Sequence, residues 1–479
     1  MIMELSPKIS IVVAVVTALF STSPCATATA TDASPQPRPF VRVSPRDSQY
    51  FEWSDGRPYL PIGLNMIAPP GNGLPGLDDW MTQLSTNGGN YIRVWLSTPF
   101  FDVEHERSGA YDEAKARRID DMLALAERHG LRVKMCLEHF RHLGNGRQSW
   151  AAKSLHLVAN GGTATNLPDF FAGARSREQF RHKLAWYAGR YAEAPAVFGW
   201  ELWNEINAVE GGDYMAWTEA MLPELHRLFP RHLAMQSLGS FDTDRARALY
   251  QRLAVMPGND VAQVHRYLDL GARLEVCHGP MDLLAAEAVR ELRTVHPGRP
   301  VLLAESGAVE PQHSGPFKLY NQDTHGMLLH DVLFAPFFAG AAGPGHIWHW
   351  DAYVAKKNLW WQFGRFAEAV KDLDPPAEHF TPSLLPHASL RAYALRGQKT
   401  LLVWCRDPRN TWQTELAEGR APEPVHGAAL DLASWPGLPK LGAVRFYDPW
   451  AHQWKNGQLR DGQIELPEFT RSLVVRVTW

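Results

Sequence analysis

The sequence is short of cysteine, of net charge and of long apolar runs, and each shortage excludes a class of protein. Its 479 residues include four cysteines, of which Cys136, Cys277 and Cys405 lie beyond the N-terminal segment. Three widely spaced thiols make neither a disulfide framework nor a close-spaced metal site, so we expect buried structural cysteines. A formal net charge of −3 gives no electrostatic reason to expect nucleic acid or an anionic membrane as a partner.

The first thirty residues have the pattern of a secretory signal peptide. Lys8 precedes an apolar run, Ile11 to Phe20, and small residues follow it. Two Ala-Thr-Ala triplets place the cleavage site after Ala28 or Ala30. The run is too short to span a bilayer as a permanent anchor. We therefore predict a signal peptide at 1–30, a secreted or periplasmic protein, and no membrane partner after its removal.

Two folding patterns follow a Pro- and Ser-rich tether predicted at 31–49. From residue 50 to about 378, short apolar strands alternate with helical patterns, which indicates βα units and a parallel sheet. Eight such units predict a (β/α)8 TIM barrel. An open doubly wound sheet is disfavoured because no Gly-x-Gly-x-x-Gly turn follows the first strand. The predicted strands are YLPIGLNM, NYIRVWLS, LRVKMCLEH, VFGWELWNE, HLAMQSLG, DVAQVHRY, PVLLAES and GHIWHW.

The last hundred residues change to short strands with turn signals between them, which predicts a β-sandwich module at 379–479. In the final strand, RSLVVRVTW, apolar residues alternate with a more polar set. This period is typical of a strand that is half buried. The segment FVRVSPRDSQYFEWSDGRP, before the barrel, is compatible with a hairpin on the barrel floor or against the sandwich.

Polar side chains cluster at the predicted strand ends, which in a barrel face the active site. Glu205 ends the fourth strand and Glu305 ends the seventh. If two such glutamates lie about 5–5.5 Å apart, one can act as nucleophile and the other as acid/base of a retaining glycosidase. The accompanying candidates for substrate binding are Arg93, His139, Asn204, His265, Tyr267 and Trp348.

Strand periodicity supports this grouping. Val301, Leu303 and Glu305 share one face of their strand. His265 and Tyr267 also share a face, so together they can donate hydrogen bonds to a neighbouring carboxylate and keep it ionised, as a nucleophile requires. Glu205 needs the opposite: a drier setting beside a negative charge, which raises its pKa so that it can donate a proton.

The ordered set resembles clan A of the glycoside hydrolases, and within it family 5, the cellulase and mannanase family. The likeness covers about residues 50–375 and rests on the motifs NYIRV, CLEHF, WELWNE, His265-x-Tyr267, LLAES and a tryptophan on strand eight. It implies Glu205 as acid/base, Glu305 as nucleophile, Tyr267 as the hydrogen-bond partner of the nucleophile and Asn204 as a contact to the sugar 2-hydroxyl. One departure is Ile206, where the family usually has Pro.

Other residues have plainer interpretations. Glu201 is expected to be structural and bonded to Arg93 or to a helix terminus, and Glu138 is expected to be structural. Trp348 is favoured over Trp350 as the tryptophan that stacks on a sugar ring. We expect neither a metal nor a cofactor, because the first strand lacks the His-x-His of metal-dependent hydrolases with this barrel.

The sequence therefore predicts an exported retaining β-glycoside hydrolase acting on a β-linked oligo- or polysaccharide, with an endo-acting mannan- or glucan-type glycanase favoured. An exo-acting glycosidase is the alternative, and the loops at about 138–175 and 306–324 decide between them. A carbohydrate-binding protein without activity is a second alternative, against which the full catalytic set argues. The sugar, the role of the C-terminal module and the oligomeric state stay open.

Overall fold

A small antiparallel sheet precedes the barrel. The computed structural model describes residues 38–139, 155–209, 211–432 and 442–479. The sheet consists of β1 (Val41–Val43), β2 (Phe51–Trp53) and β3 (Pro58–Tyr59). Phe51 packs edge-on against Phe198 with ring centroids 5.2 Å apart. The tether predicted at 31–49 is therefore too long, because Val41 in β1 is buried and paired with Trp53. The predicted signal peptide lies outside the described residues.

The barrel strands are parallel and lie side by side in chain order from the first to the fifth. They are β4 (Gly63–Asn65), β5 (Tyr91–Trp95), β6 (Arg132–Glu138), β7 (Val197–Trp203), β8 (Leu233–Met235), β9 (Ala262–Asp269) and β10 (Val301–Val309). The helices are α1 (Leu74–Thr86), α2 (Glu113–Arg128), α3 (Leu167–Ala172), α4 (Ala174–Tyr191), α5 (Tyr214–Leu228), α6 (Asp244–Ala254), α7 (Met281–Arg293), α8 (Met327–Phe338), α9 (Trp361–Ala369) and α10 (Pro375–Glu378).

The ring closes through a single residue rather than through the predicted eighth strand. Ile347 forms parallel bridges to both Leu64 and Ser306. Asn65 reinforces this seam, because its Nδ2 donates to Ala304 O at 3.1 Å. The chain then turns into a π-helix at Trp350–Ala355. The arrangement is a (β/α)8 TIM barrel with an irregular eighth strand.

Helix starts show where local sequence signals worked and where they did not. Asp112 caps α2 by accepting from the backbone N–H groups of Ala114 and Lys115. Ser176 and Gln179 match a capping-box pattern in the sequence, but they do not form the box because α4 already begins at Ala174. Both side chains instead accept from the hydroxyl of Thr163.

The C-terminal residues form antiparallel sheets. The strands are β11 (Thr381–Leu385), β12 (Arg391–Arg396), β13 (Thr400–Arg406), β14 (Pro424–Val425), β15 (Ala429–Asp431), β16 (Ala443–Asp448), β17 (Gln453–Gly457), β18 (Gln463–Glu465), β19 (Phe469–Thr470) and β20 (Ser472–Thr478). Six of them pair in the order β11-β12-β13-β20-β16-β17, whereas β14 pairs with β19 and β15 with β18. All described residues from Pro39 onward belong to one compact unit.

The last strand is buried on both faces, which corrects the expectation of a half-buried strand. On one face Leu473, Val475 and Val477 share an apolar core with β15 and β18. On the other face Val474 joins the barrel core and Ser472 bonds to His330 at 2.8 Å. Sequence alternation could not reveal the second interface, because the residues there are mixed in polarity.

Two ion pairs, one buried and one partly buried, connect the six-stranded sheet to two barrel helices. Arg406 on β13 makes a bidentate pair with Asp331 on α8, at 2.8 and 3.1 Å. Arg391 on β12 makes another with Asp282 on α7, at 2.6 and 2.8 Å.

Cys136, Cys277 and Cys405 are buried free thiols, as predicted. Within the described ranges, no helix has the length and apolar character needed to cross a membrane.

Candidate active site

The strand ends deliver two glutamates to the same end of the barrel. Asn204 and Glu205 follow β7 directly, and Glu305 lies within β10. A bulge at Ala304 shifts the register between β10 and β9, so that Glu305 pairs directly with His265. Bulges beside active sites re-aim a side chain, and here the bulge modifies the simple alternation that was expected from Val301 to Glu305.

Glu205 is held in a strained backbone conformation. Its φ and ψ are 49° and 54°, in the left-handed region, which costs a residue other than glycine about 1–3 kcal/mol. Its N–H donates to Ser237 Oγ at 3.0 Å, and its Oε1 lies 2.9 Å from His265 Nδ1. The side chain is 15% exposed. The strain therefore serves to present this carboxyl group at the barrel mouth.

Glu305 is more deeply set, with a side chain that is 5% exposed. Tyr267 donates its phenolic O–H to Glu305 Oε1 at 2.5 Å. Arg93 donates from Nη1 to Glu305 Oε2 at 2.7 Å. Burial raises the pKa of Glu305, whereas the charge of Arg93 and the hydrogen bond from Tyr267 act to lower it. Both partners favour the ionised carboxylate.

The two glutamates are close enough to influence each other. One carboxyl oxygen of Glu205 lies within 4.8 Å of one of Glu305, which agrees with the short carboxyl separation of retaining glycosidases. Burial, followed by the negative charge of Glu305, raises the pKa of Glu205 well above its usual value. The environment therefore favours a protonated Glu205 beside an ionised Glu305.

His265 contacts a different carboxyl group from the one expected. Its Nδ1 lies 2.9 Å from Glu205 Oε1 but 3.6 Å from Glu305 Oε2. Burial and the charges of Arg93 and Lys134 hold the pKa of His265 well below its usual value. The neutral ring therefore serves the acid/base side of the pair, and of His265 and Tyr267 it is Tyr267 that donates to Glu305.

Arg93 is fully buried and all its donors are bonded to protein. Nε and Nη2 donate to both oxygens of Glu201, at 2.8 and 3.0 Å. The remaining bonds go to Asn65, Asn204 and Glu305. These five bonds leave no N–H for a sugar, which corrects the expected direct contact of Arg93 with substrate. Glu201 is the structural partner of Arg93, as predicted.

The other predicted binding residues each contact Arg93 or Trp95. Asn204 accepts from Arg93 Nη2 through its Oδ1 at 2.6 Å, which turns its NH2 group away from the arginine. His139 is buried and stacks on Trp95 with ring centroids 4.9 Å apart. Trp348 is half-buried, with its ring 5.1 Å from Trp95, whereas Trp350 is buried. Trp348 is thus the better placed of the two tryptophans for stacking on a ligand.

Two residues of the site were missed in the sequence. Asn65 ends the first strand and bonds both to Arg93 and to the barrel seam. Ser237 follows the fifth strand and fixes the backbone of Glu205. Both satisfy the strand-end criterion that identified the other residues, so the signal was present. Glu138 is structural, as expected, because Lys183 bridges it to Glu104.

One group among the described residues offers ligand atoms with metal-like spacing: Glu205, His265 and Glu305. Its chemistry fits a metal poorly. The Arg93 guanidinium already neutralises Glu305 at 2.7 Å, and its positive charge would repel a divalent cation at the same carboxylate. The site therefore suits proton transfer and nucleophilic attack better than metal binding.

Comparisons with known proteins agree with this geometry. No protein-family model matches the chain. Over 178 residues it is 32% identical to mannan endo-1,4-beta-mannosidase 3 from Oryza sativa, covering 34% of this chain and 37% of that protein. Over 174 residues it is 29% identical to mannan endo-1,4-beta-mannosidase 4 from the same plant. The chain thus spans about a third of the length of the curated relatives it matches.

Solved structures share the fold. A glycoside hydrolase family 5 protein from Bacteroides vulgatus superposes with a TM-score of 0.57 at 14% identity, covering 92% of both chains. An endo-1,4-beta-mannanase from Rhizomucor miehei has a TM-score of 0.50 at 14% identity, covering 69% of this chain and 99% of its own. Together the matches confirm the resemblance to family 5 of clan A that the motifs indicated.

Proposed function

We propose, from this likeness and from the paired glutamates, that the chain is a retaining, endo-acting β-glycanase of the mannan type. The observation that carries the proposal is the short distance between Glu205 and Glu305 together with their different environments. The names of the rice relatives support the mannan type and the endo mode.

Glu305 attacks the anomeric carbon of the bound sugar while Glu205 protonates the glycosidic oxygen. The C–O bond to the leaving sugar breaks and a glycosyl ester to Glu305 forms. Glu205, now ionised, deprotonates a water that attacks the same carbon, and the ester bond to Glu305 breaks with net retention. The mechanism requires no cofactor.

The surrounding residues prepare these two steps. Arg93 and Tyr267 hold the Glu305 carboxylate from either side, so that it needs little reorganisation on attack. The NH2 group of Asn204 is directed to the sugar 2-hydroxyl, and Trp348 supplies an apolar face for a sugar ring. The substrate is a β-linked mannan or a related β-linked oligosaccharide.

We also propose that the C-terminal strands are a β-sandwich that supports the barrel. The six-stranded sheet and the pairs β14-β19 and β15-β18 contribute to one apolar core, as the two layers of a sandwich do. Arg406 and Arg391 bind the outer face of the sheet to α8 and α7. Export is proposed from the N-terminal signal pattern, and N-terminal sequencing of the exported protein tests it.

Hydrolysis of a polysaccharide panel tests the function. We expect β-mannan to lose viscosity early and to release oligosaccharides of mixed length, and we expect NMR to detect the β-anomer as the first product. The Glu305→Gln variant should be inactive, whereas Glu193→Gln, at an exposed position, should match the wild type. Release of monosaccharide only from chain ends would overturn the endo mode, and a first product of α configuration would overturn retention.

A further inference from the structure

Three polar side chains form a second cluster at the rim of the barrel mouth. Ser240 follows β8, Asp269 ends β9, and His313 lies in the loop after β10. Ser240 Oγ lies 3.0 Å from His313 Nε2, and His313 Nδ1 lies 2.9 Å from Asp269 Oδ2. None of the three contacts Glu205 or Glu305 through a hydrogen bond. The mechanism proposed for glycoside cleavage makes no use of them.

The partners fix the tautomer of His313. A carboxylate can only accept, so the hydrogen on Nδ1 points to Asp269 and Nε2 of the neutral ring accepts from the Ser240 hydroxyl. This is the order of contacts that activates a serine nucleophile, with serine on one ring nitrogen and a carboxylate on the other. Each distance lies within the hydrogen-bond range that such a relay needs.

The carboxylate of the cluster is rigidly held. Asp269 Oδ1 accepts from Gly271 N at 2.7 Å and from Gln312 N at 3.1 Å, which leaves Oδ2 for His313. A Cβ on Gly271 would lie 2.6 Å from Gln312 N. The loop that carries Gln312 therefore approaches Gly271 more closely than a residue with a side chain at position 271 would allow. The Asp269 side chain is 2% exposed, as expected for an orienting carboxylate.

The loop that carries the imidazole is strained. Gln312 and His313 have φ values of 57° and 55°, consecutive non-glycine residues in the left-handed region. Such residues cost about 1–3 kcal/mol each and cluster at functional sites. The His313 side chain is nevertheless 38% exposed, and Ser240 is half-buried. The strain therefore presents an oriented imidazole and a hydroxyl to the solvent.

The cluster adjoins the sugar site. The His313 ring meets the Tyr267 ring edge-on with centroids 5.0 Å apart, and Tyr267 bonds to Glu305. A substituent on a sugar bound beside Glu305 would therefore lie near Ser240. We propose that Ser240, His313 and Asp269 form an acyl-ester hydrolase site that removes acyl groups, such as acetyl, from sugar hydroxyls. The ester chemistry stands alone, whereas the choice of an acylated sugar rests on the proposed glycanase function.

The reaction has two balanced steps. Ser240 Oγ bonds to the acyl carbon as its proton passes to His313 Nε2; the ester C–O bond then breaks, and the sugar hydroxyl leaves with that proton. Water next attacks the acyl carbon and loses a proton to His313. The acyl–Oγ bond then breaks, Ser240 Oγ takes that proton from His313, and the carboxylic acid is released. The backbone N–H of Ser240, which meets no acceptor within the described part of the chain, is the available donor to the oxyanion.

Two sugar-free probes test the site on the full chain. We expect a fluorophosphonate to label Ser240 alone, as located by peptide mass spectrometry, and p-nitrophenyl acetate to be hydrolysed. Ser240→Ala should abolish the labelling and lower the ester rate by about 100-fold or more, and His313→Gln should act alike. The matched control Ser314→Ala, at the exposed neighbouring serine, should match the wild type.

The outcomes separate the two proposals. Glycanase activity retained in Ser240→Ala shows that the variant is folded, and the probes contain no sugar, so they report on the ester site even if the glycanase proposal fails. Absence of labelling, or equal ester rates in the wild type and Ser240→Ala, overturns the proposal. The three side chains would then serve only to hold the two loops together. If the wild type releases acetate from acetylated mannan and Ser240→Ala does not, the sugar substrate is supported. If the wild type cleaves p-nitrophenyl acetate but not acetylated mannan, the sugar substrate is overturned.

Discussion

Arg93 donates from Nη1 to Glu305 Oε2 over 2.7 Å, in an ion pair whose side chains are at most 5% exposed. The same guanidinium holds Glu201 through two further bonds and Asn204 through one. A single buried cation therefore contacts the proposed nucleophile, the structural carboxylate of Glu201 and the residue that we propose to bind the sugar 2-hydroxyl. Substitution of Arg93 is therefore expected to change both the stability of the fold and the turnover of the enzyme.

Arg93→Lys should lower both stability and turnover. A lysine keeps the charge but loses the bidentate fork, so Glu201 loses both hydrogen bonds from Arg93 and keeps the ion pair with Lys134 at 3.0 Å. Breaking a buried pair costs about 3–5 kcal/mol, which urea denaturation would detect, and we expect kcat to fall by roughly 100-fold. The control Arg57→Lys alters an exposed pair with Asp55 and should change stability by less than about 1 kcal/mol. Equal behaviour of the two variants would refute the central role of Arg93.

Tyr267→Phe should shift the acidic limb of the pH–activity profile to higher pH. The hydrogen bond from Tyr267 lowers the pKa of Glu305, so its removal raises that pKa. A smaller fraction of Glu305 is then ionised at acidic pH, and kcat/KM falls there first. The profile of kcat/KM measured from pH 3 to 9 checks this. A reduced rate with an unmoved acidic limb would mean that Tyr267 acts only on substrate binding.

Glu205→Ala should remove the alkaline limb of the pH–activity profile, and azide should restore activity to this variant. Activity needs protonated Glu205, so it declines as pH rises through the elevated pKa of this residue, and the variant has no such group to lose. We expect turnover of an activated aryl glycoside to drop by about 10²–10⁴-fold. Azide, which needs no general base, should restore much of it and give a β-glycosyl azide. An α-azide, or no rescue, would contradict the assignment.

Trp348→Ala should raise KM more than it lowers kcat. The half-buried ring beside Trp95 is assigned to stacking on a sugar, and the loss of about 1–1.5 kcal/mol of such contact corresponds to roughly a tenfold rise in KM. Steady-state kinetics on a mannan oligosaccharide measure it. Trp186→Ala, which removes a half-buried ring that stacks on Tyr111, serves as control and should leave KM unchanged.

Arg406→Met should destabilise the whole chain and not only its C-terminal part. Arg406 is buried between β13 and α8 and is paired with Asp331, so the variant leaves a buried carboxylate at a cost of about 3–5 kcal/mol. Arg409→Met, at a half-exposed neighbour paired with Asp407, should cost far less. Separate melting of the C-terminal strands in wild-type calorimetry would contradict a supporting role.

The strand ends could be read from the sequence because barrel strands are short and their periods are clear. Glu205, Glu305 and Tyr267 follow apolar runs whose alternation directs them to the mouth, and the structure brings all three together. The pairing of His265 could not be derived in this way. Its contact with Glu205 joins residues 60 positions apart in the chain, and the bulge at Ala304 shifts the register of β10 against β9. Neither feature leaves a periodic signal in the sequence.

Long-range contacts account for the other differences. The second buried face of β20 depends on a helix more than a hundred residues earlier in the chain, through His330 and Ser472. The contact between Ser240 and His313 joins loops 73 residues apart. Local alternation carries no information about such distances, so these features emerge only when the barrel is closed.

Covalent trapping of Glu305 tests the account most directly. The full chain is incubated with a 2-deoxy-2-fluoro-β-mannosyl fluoride, whose glycosyl-enzyme intermediate is slow to hydrolyse, and is then digested and analysed by mass spectrometry. We predict a single added fluoromannosyl group on the peptide that contains Glu305, with activity returning as the ester turns over. Attachment to Glu205, or inactivation without any adduct on Glu305, would contradict the central claim.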